Sequence, residues 1–383
     1  MKLAIPKERR AHERRVAATP DTVKKLIALG FEVVVEKDAG LMSSIPDSEY
    51  MAAGAKIATD AAEAYNGADI IFKVQRPLHA AEGDVDEMAL IKPGTILIAI
   101  LSPLSDGATV DAYAKGNITS FAMEFMPRIT RAQSMDVLSS QSNLAGYRAV
   151  IDAAYEFSRA YPMMMTAAGT VAPAKILVMG TGVAGLQAIA TAKRMGAVVS
   201  ATDVRAAAKE QVESLGGKFV MVDSSETGEA EGGYAKEMSD DYKAKQAALI
   251  AATLAKQDVA ITTALIPGRP APILITKEMV HSMKPGSVII DLAVESGGNC
   301  ELSQVGKIVL ENGVKIIGHH NVASRLATDA SALYAKNLLN FITPLMDSEN
   351  KTLNIDWEDE IIVGTLLTRD GTIVHERLQQ GGN

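Results

Sequence analysis

The chain has 383 residues, 48% of them hydrophobic, which is enough for two domains with separate cores and excludes a disordered chain. A formal net charge of −8, with no lysine- or arginine-rich block, speaks against a nucleic-acid partner. The single cysteine, Cys300, rules out an internal disulfide and fits a reducing compartment, and no run of about 18 apolar residues is present to cross a bilayer.

In chain order, the segment Met1–Pro6 reads as a short strand and not as a signal peptide. Residues 1 to about 137 alternate strands and helices, with strands expected at Lys2–Ile5, Phe31–Glu36, Asp69–Val74, Thr95–Leu101 and Ile118–Met123. Thr19-Pro20-Asp21 opens a helix, with Thr19 as N-cap and Pro20 at its first position, and Gly30 closes it. Gln141 to Tyr161 reads as one long helix with an apolar face of Leu144, Tyr147, Ile151, Ala154, Tyr155 and Phe157, and a loop from Pro162 to Pro173 follows. Further strands are expected at Lys175, near Phe219–Val222, at Val259–Ala264, at Val288–Ala293 and at Lys315–Ile317. Residues 224–243 are acidic and glycine-containing, too long for an ordinary connector, and read as a surface loop or a mobile lid. Ala330 to Met346 reads as a long helix that either returns to the first domain or forms a dimer contact. Ile361-Ile-Val and Thr372-Ile-Val read as a hairpin around Arg369-Asp370-Gly371. The expected fold class is α/β, with two Rossmann-like doubly wound parallel-sheet domains and a cleft between them. The domains are 1–137 plus 328–383, discontinuous, and 138–327.

Lys175 to Asp203 carries the strongest chemical signal. A buried strand, a glycine turn at Gly180, Gly182 and Gly185, an amphipathic helix, a second strand and a terminal acid make up a complete dinucleotide-binding unit. Gly180 allows the tight turn, Gly182 lets a pyrophosphate approach the backbone, and Gly185 lets the helix pack close to the sheet. Free N–H groups at the helix start hold phosphate. Asp203 is expected to accept from ribose hydroxyls and to repel a 2′-phosphate, which favours NAD(H). Arg205, two residues on, weakens that preference, since an arginine nearby accepts a 2′-phosphate. Thr181, Val183, Val204, Ala264 and Leu265 complete the expected nucleotide-binding set. Other glycine pairs, at 216–217, 232–233 and 297–298, lack the strand-then-helix context, so one chain carries one nucleotide. No metal site is expected: the His319-His320 pair lacks carboxylates or a cysteine at ligand spacing.

A second segment, Ala122 to Arg148, joins a strand end to the long helix and is expected to face the cleft. It carries Arg128, Gln133, Asp136 and Ser139 within a dozen residues, for which a local salt bridge or helix cap is the plain structural reading. This segment closely resembles the NAD(H)-binding component, domain I, of proton-translocating NAD(P) transhydrogenases. The resemblance extends to Ile5-Pro-Lys-Glu, Glu13-Arg-Arg-Val, Phe72-Lys-Val-Gln-Arg-Pro77, Gly180–Gly185, Asp203-Val-Arg205 and Gly232-Gly-Tyr-Ala-Lys-Glu-Met238. It implies direct hydride transfer between NAD(H) on this chain and NADP(H) on a partner subunit, coupled to proton translocation by separate membrane-spanning subunits. The chain would then be active only with its NADP-binding partner, homodimeric, and peripheral to the inner membrane on its cytoplasmic side. By the same resemblance, Arg128, Asp136 and Ser139 fix the nicotinamide carboxamide, and Gln133 reaches toward the partner's nucleotide. Tyr234 and Met238 would lie on a loop closing over NAD(H). Such a reaction needs no general base, only ring orientation, ring distance and exclusion of water.

The chain also resembles alanine dehydrogenases, in which positions matching Arg15 and Lys73 hold a keto acid. That family carries a proton-transferring histidine after the strand equivalent to 95–101, and Ile98-Ala-Ile-Leu101-Ser-Pro-Leu contains none. Arg15 and Lys73 are therefore expected as ion-paired structural residues. A regulatory subunit that senses NAD without catalysis is the remaining alternative.

Overall fold

In the computed structural model, which describes residues 1–205, 207–222, 239–347 and 349–379, the chain divides into two units. One is Met1–Gln141 with Ser324–Asn383; the other is Ser142–Ala323. Each is built on a doubly wound, mostly parallel sheet.

The first unit contains β1 (Lys2–Ile5), β2 (Glu32–Glu36), β3 (Lys56–Ala58), β4 (Ile70–Gln75), β5 (Ile96–Ile100) and β6 (Thr119–Ala122). They run parallel in the order β3-β2-β1-β4-β5-β6, the Rossmann order. Both faces are buried, which is why the strand interiors are mostly apolar. Leu3, Ile5, Ile70, Phe72 and Val74 pack on one face, and Ala4, Ile71, Leu97 and Ala99 on the other. The helix Pro20–Ala28 begins as its sequence predicts. Thr19 and Thr22 form a reciprocal cap, Pro20 stands at the first position, and Gly30 leaves the helix at φ +101°. β3 was not expected; three residues with an exposed lysine give no period-2 signal.

In the second unit, β7 (Met164–Thr166) and β8 (Gly169–Val171) form a separate hairpin where the sequence suggests only a loop. The main sheet comprises β9 (Lys175–Met179), β10 (Val198–Thr202), β11 (Lys218–Phe219), β12 (Val259–Thr262), β13 (Val288–Asp291), β14 (Ile308–Glu311) and β15 (Val314–Ile317). Its order is β11-β10-β9-β12-β13-β15-β14, with only β14 antiparallel.

Three expectations are corrected. The long helix spans Val137–Glu156, and only part of the expected face packs. Phe157, just past its end, is buried as expected, but Tyr155 is 87% exposed and Tyr147 is exposed, and Ala149, Val150 and Ala153 are buried instead. The reason is close helix–helix contact: a Cβ on Gly146 would lie 2.0 Å from the Ala184 carbonyl oxygen, so small residues form the seam. Second, Ile361-Ile-Val is helical. Asp359 caps the helix Glu360–Thr365 by accepting from the Ile361 N–H, and Ile361 and Ile362 are buried, which overrides their β-branched preference. The C-terminal hairpin is instead β16 (Leu366–Arg369) with β17 (Thr372–Ile373). Asp370 and Gly371, both at positive φ, turn between them, and β16 adds antiparallel to β6. Third, one face residue of the helix Ala327–Ile342 is misplaced, although the helix returns to the first unit, one of its two expected placements; there Tyr334, Leu338, Phe341 and Ile342 join the core and Phe341 meets Phe121 edge-on at 5.5 Å. Leu333, expected on its packed face, is exposed.

Candidate functional site

The strand order of the second unit reverses between β9 and β12, which makes the space beyond their C-terminal ends the ligand position of such a sheet. Gly180 leaves β9 at φ +96°, and a Cβ there would lie 2.6 Å from Thr263 Oγ1. A Cβ on Gly185 would lie 1.9 Å from the Gly180 carbonyl oxygen. The chain's own packing therefore demands these two glycines. Gly182 differs: a Cβ there meets nothing within 4 Å, so no contact within the protein requires a glycine. It caps the helix Val183–Arg194 without a side-chain acceptor, so the first-turn N–H groups and the positive end of the helix dipole remain for an anion. Open backbone at Gly182 above an uncapped helix start fits a diphosphate. Val183 is exposed at the mouth of this turn.

Asp203 follows β10 and closes on the same turn. Its Oδ2 accepts from the Thr181 N–H and hydroxyl, both at 2.7 Å, and from Arg205 Nη2 at 2.9 Å. Its Oδ1 accepts from the Arg205 N–H and Nε, both at 2.9 Å. Burial opposes the charge, but the bonds from Arg205 and Thr181 outweigh it and hold the carboxyl below its usual value. Thus Thr181 and Arg205, both assigned to the nucleotide, also fix the acid. Val204 between them is half-buried.

Beyond β12, the Thr263 hydroxyl donates to the Gly180 carbonyl at 3.1 Å, tying the loop that starts at Ala264 and the exposed Leu265 to the glycine turn. Sequence reasoning missed Thr263, because nothing local marks a threonine as the neighbour of a turn 83 positions earlier. Tyr234 and Met238 lie outside the described residues.

The Arg128–Ser139 segment belongs to the first unit. Ala132 and Met135 are buried as anchors, and Asn337 and Asn340 donate to the Ser134 carbonyl at 2.9 and 3.0 Å. Asp136 accepts from the Ser139 N–H at 2.9 Å and from its hydroxyl at 2.5 Å, capping the helix Val137–Glu156. These two predicted residues are brought together; Arg128 and Gln133 are exposed. Arg131 pairs bidentately with Asp359 at 2.6 and 2.9 Å. Just before the segment, Glu124 accepts from the Leu101 N–H at 2.9 Å and the Ser102 N–H at 2.5 Å. Burial pushes its carboxyl up to about 7 against these bonds.

The corresponding switch point of the first unit, beside β1 and β4, is filled by the chain's own charges. Lys73 meets Glu87 at 3.0 Å and Glu8 at 3.3 Å, all three buried. Glu13 forks Arg15 at 2.6 and 2.8 Å, and Gln141 accepts from Arg15 at 2.9 Å. Burial opposes the Glu13 charge, but Arg15 holds its carboxyl down at about 2. Arg15 and Lys73 are ion-paired, as their sequence context implies.

Residues 4–145 match the description alanine dehydrogenase/PNT, N-terminal domain, and residues 149–376 match alanine dehydrogenase/PNT, C-terminal domain. The chain belongs to the alanine dehydrogenase/PNT family. Within that family it is 65% identical over 384 aligned residues, covering 100% of both chains, to the first part of NAD(P) transhydrogenase subunit alpha of Rhodospirillum rubrum. It is 33% identical to an alanine dehydrogenase of Methanococcus maripaludis, over 79% of this chain and 74% of that one. Among solved structures, a transhydrogenase from Sinorhizobium meliloti superposes with TM-score 0.87 at 56% identity, covering 98% of this chain and 100% of that one. An L-alanine dehydrogenase superposes with TM-score 0.81 at 25% identity, covering 99% and 98%. The two Rossmann-like sheets are thus a property of the family. No helix among the described residues is long and apolar enough to cross a membrane.

Proposed function

We propose that this chain is the NAD(H)-binding subunit of a proton-translocating NAD(P) transhydrogenase. The observation that carries the reading is the turn Gly180–Gly185 closed by Asp203, in a chain that matches a transhydrogenase alpha subunit along its whole length. Bound NAD(H) supplies the hydride donor or acceptor, and NADP(H) on a partner subunit supplies the other.

The chain's own residues bind and orient. The helix start at Gly182 holds the diphosphate through N–H groups. Asp203 receives the adenosine ribose; because five donors from Thr181 and Arg205 already converge on its carboxylate, a ribose diol takes the place of part of the Arg205 contact. Ala264 and Leu265 line the nucleotide beyond β12. Arg128, Asp136 and Ser139 fix the nicotinamide end, and the exposed Gln133 reaches the partner's nucleotide. No proton leaves a substrate, so positioning and exclusion of water provide the rate.

Proton movement belongs to membrane-spanning partner subunits, with this chain peripheral on the cytoplasmic side and homodimeric. The hairpin β7–β8 supports the dimer: Met163 and Met165 are 60% and 79% exposed, an apolar surface of the kind that marks a protein contact. The alanine dehydrogenase reading meets the sealed pairs around Arg15 and Lys73, which leave these cations already neutralised. The deciding experiment measures reduction of an NADP analogue by NADH, with and without an NADP-binding partner protein. Transfer only with the partner is expected. Rapid NADH oxidation by the chain alone with pyruvate and ammonia would assign it to amino-acid oxidation instead.

A further inference from the structure

The glycine pair Gly297-Gly298 lacks the context of a phosphate loop, yet both residues stand at positive φ, +104° and +86°. A Cβ on Gly298 would lie 3.0 Å from Asp291 Oδ2, so the backbone passes close against a buried carboxylate. Asp291, at the end of β13, accepts from the Asn299 N–H at 2.8 Å, the Cys300 N–H at 3.0 Å and the Ser303 hydroxyl at 2.6 Å. Its other oxygen accepts from the Ala293 N–H and the Thr262 hydroxyl. This doubled-back turn puts Asn299, fully buried, under the loop that follows β12.

There the Asn299 side chain grips one residue by both of its backbone groups. Oδ1 accepts from the Ala264 N–H at 2.9 Å, and Nδ2 donates to the Ala264 carbonyl at 2.9 Å. Nδ2 also donates to the Pro272 carbonyl at 2.8 Å, so both ends of the segment 264–272 are fastened to one amide. Only an amide serves: two carbonyls need donors and one N–H needs an acceptor. Ala264 in turn abuts the phosphate turn, its N lying 3.3 Å from where a Gly180 Cβ would be.

We propose that Asn299, carried on the Gly297-Gly298 turn and anchored by Asp291, is a positioning residue for dinucleotide binding that sets the segment 264–272 against the Gly180 turn. The inference rests on the nucleotide reading of that turn. The segment exposes Leu265 and Ile266, which without the clamp would collapse onto neighbouring apolar surface.

The test uses the full chain and NADH as probe. In Asn299→Asp the side chain keeps the acceptor but carries at most one proton to offer two carbonyl oxygens, so at least one donation is lost. NADH is expected to bind at least tenfold more weakly, with a changed fluorescence of the bound nicotinamide at saturation and faster amide exchange confined to 264–275. An Asn299→Asp protein that folds and binds NADH as the wild type does would overturn the proposal. If that variant does not fold, wild-type exchange decides: the Ala264 amide should be among the protected amides of the free chain, and exchange at the rate of an open loop would equally overturn it. Failure of the wild type to bind NADH would remove the nucleotide reading itself, a separate result.

Discussion

Individual side chains here carry two separable electrostatic roles. Asp203 is held ionised by Arg205 and Thr181, and the same contacts keep Arg205 turned onto a carboxylate and away from a 2′-phosphate. On the nucleotide reading proposed above, Asp203→Ala removes the ribose acceptor and releases the guanidinium. NADH affinity should fall roughly tenfold or more, as for loss of a charged hydrogen bond, while NADPH affinity holds or rises; equal losses for both nucleotides would remove Asp203 from the specificity mechanism. Glu124 is the opposite case. Its carboxyl titrates near 7 in the fold, because of burial, against about 4.3 in an unfolded chain. The folded state therefore holds the extra proton between those values. Stability from this group is complete at the acid end and is lost as pH rises through about 7. The wild-type melting midpoint should thus be lower at pH 8 than at pH 5.5, and Glu124→Gln, which keeps an acceptor for Leu101 and Ser102, should flatten that slope. An unchanged slope would show that Glu124 stays ionised throughout.

The glycine turn is the element on which binding and folding come apart. Gly185 has no room for a methyl group, since its Cβ would strike the Gly180 carbonyl, and Gly182 has open space. Gly185→Ala should lower the melting midpoint, at a cost of about 1–3 kcal/mol or more for overpacking. Gly182→Ala should melt like the wild type and yet bind NADH much more weakly, because only a ligand's phosphate competes for that space. Calorimetry on both variants reads the contrast, and normal NADH binding by Gly182→Ala would mean that the diphosphate lies elsewhere. The helix Val137–Glu156 shows the same physics of close approach: Gly146 against Ala184 draws the seam along small residues and leaves Tyr147 and Tyr155 to solvent.

At the scale of the molecule, two units that share the order of their first five strands are used differently. The first has its switch point filled by Lys73, Glu8, Glu87, Arg15 and Glu13, while the second keeps Gly182 open. This asymmetry agrees with one nucleotide per chain. For the proposed dimer, the exposed methionines of β7–β8 and the exposed Tyr155 offer one apolar surface to a second copy. Met165→Asp should shift sedimentation from dimer toward monomer without altering NADH affinity; an unchanged dimer would place the contact on another surface.

The nucleotide unit was legible because strand, turn, helix, strand and acid follow one another within Lys175–Asp203, where neighbours in sequence are neighbours in space. The cap at Thr19 and the strands β1, β4, β5 and β6 were readable for the same reason. What the sequence by itself determined was the fold class and the position of the glycine turn, since both follow from local periodicity and backbone freedom. Tertiary structure alone decided which face of Val137–Glu156 is buried, that Ile361-Ile-Val coils into a helix, and that Asn299 reaches back 35 positions to hold Ala264. Those outcomes depend on which surfaces meet, and hydrogen bonds and apolar contacts between distant segments leave no periodic trace along the chain.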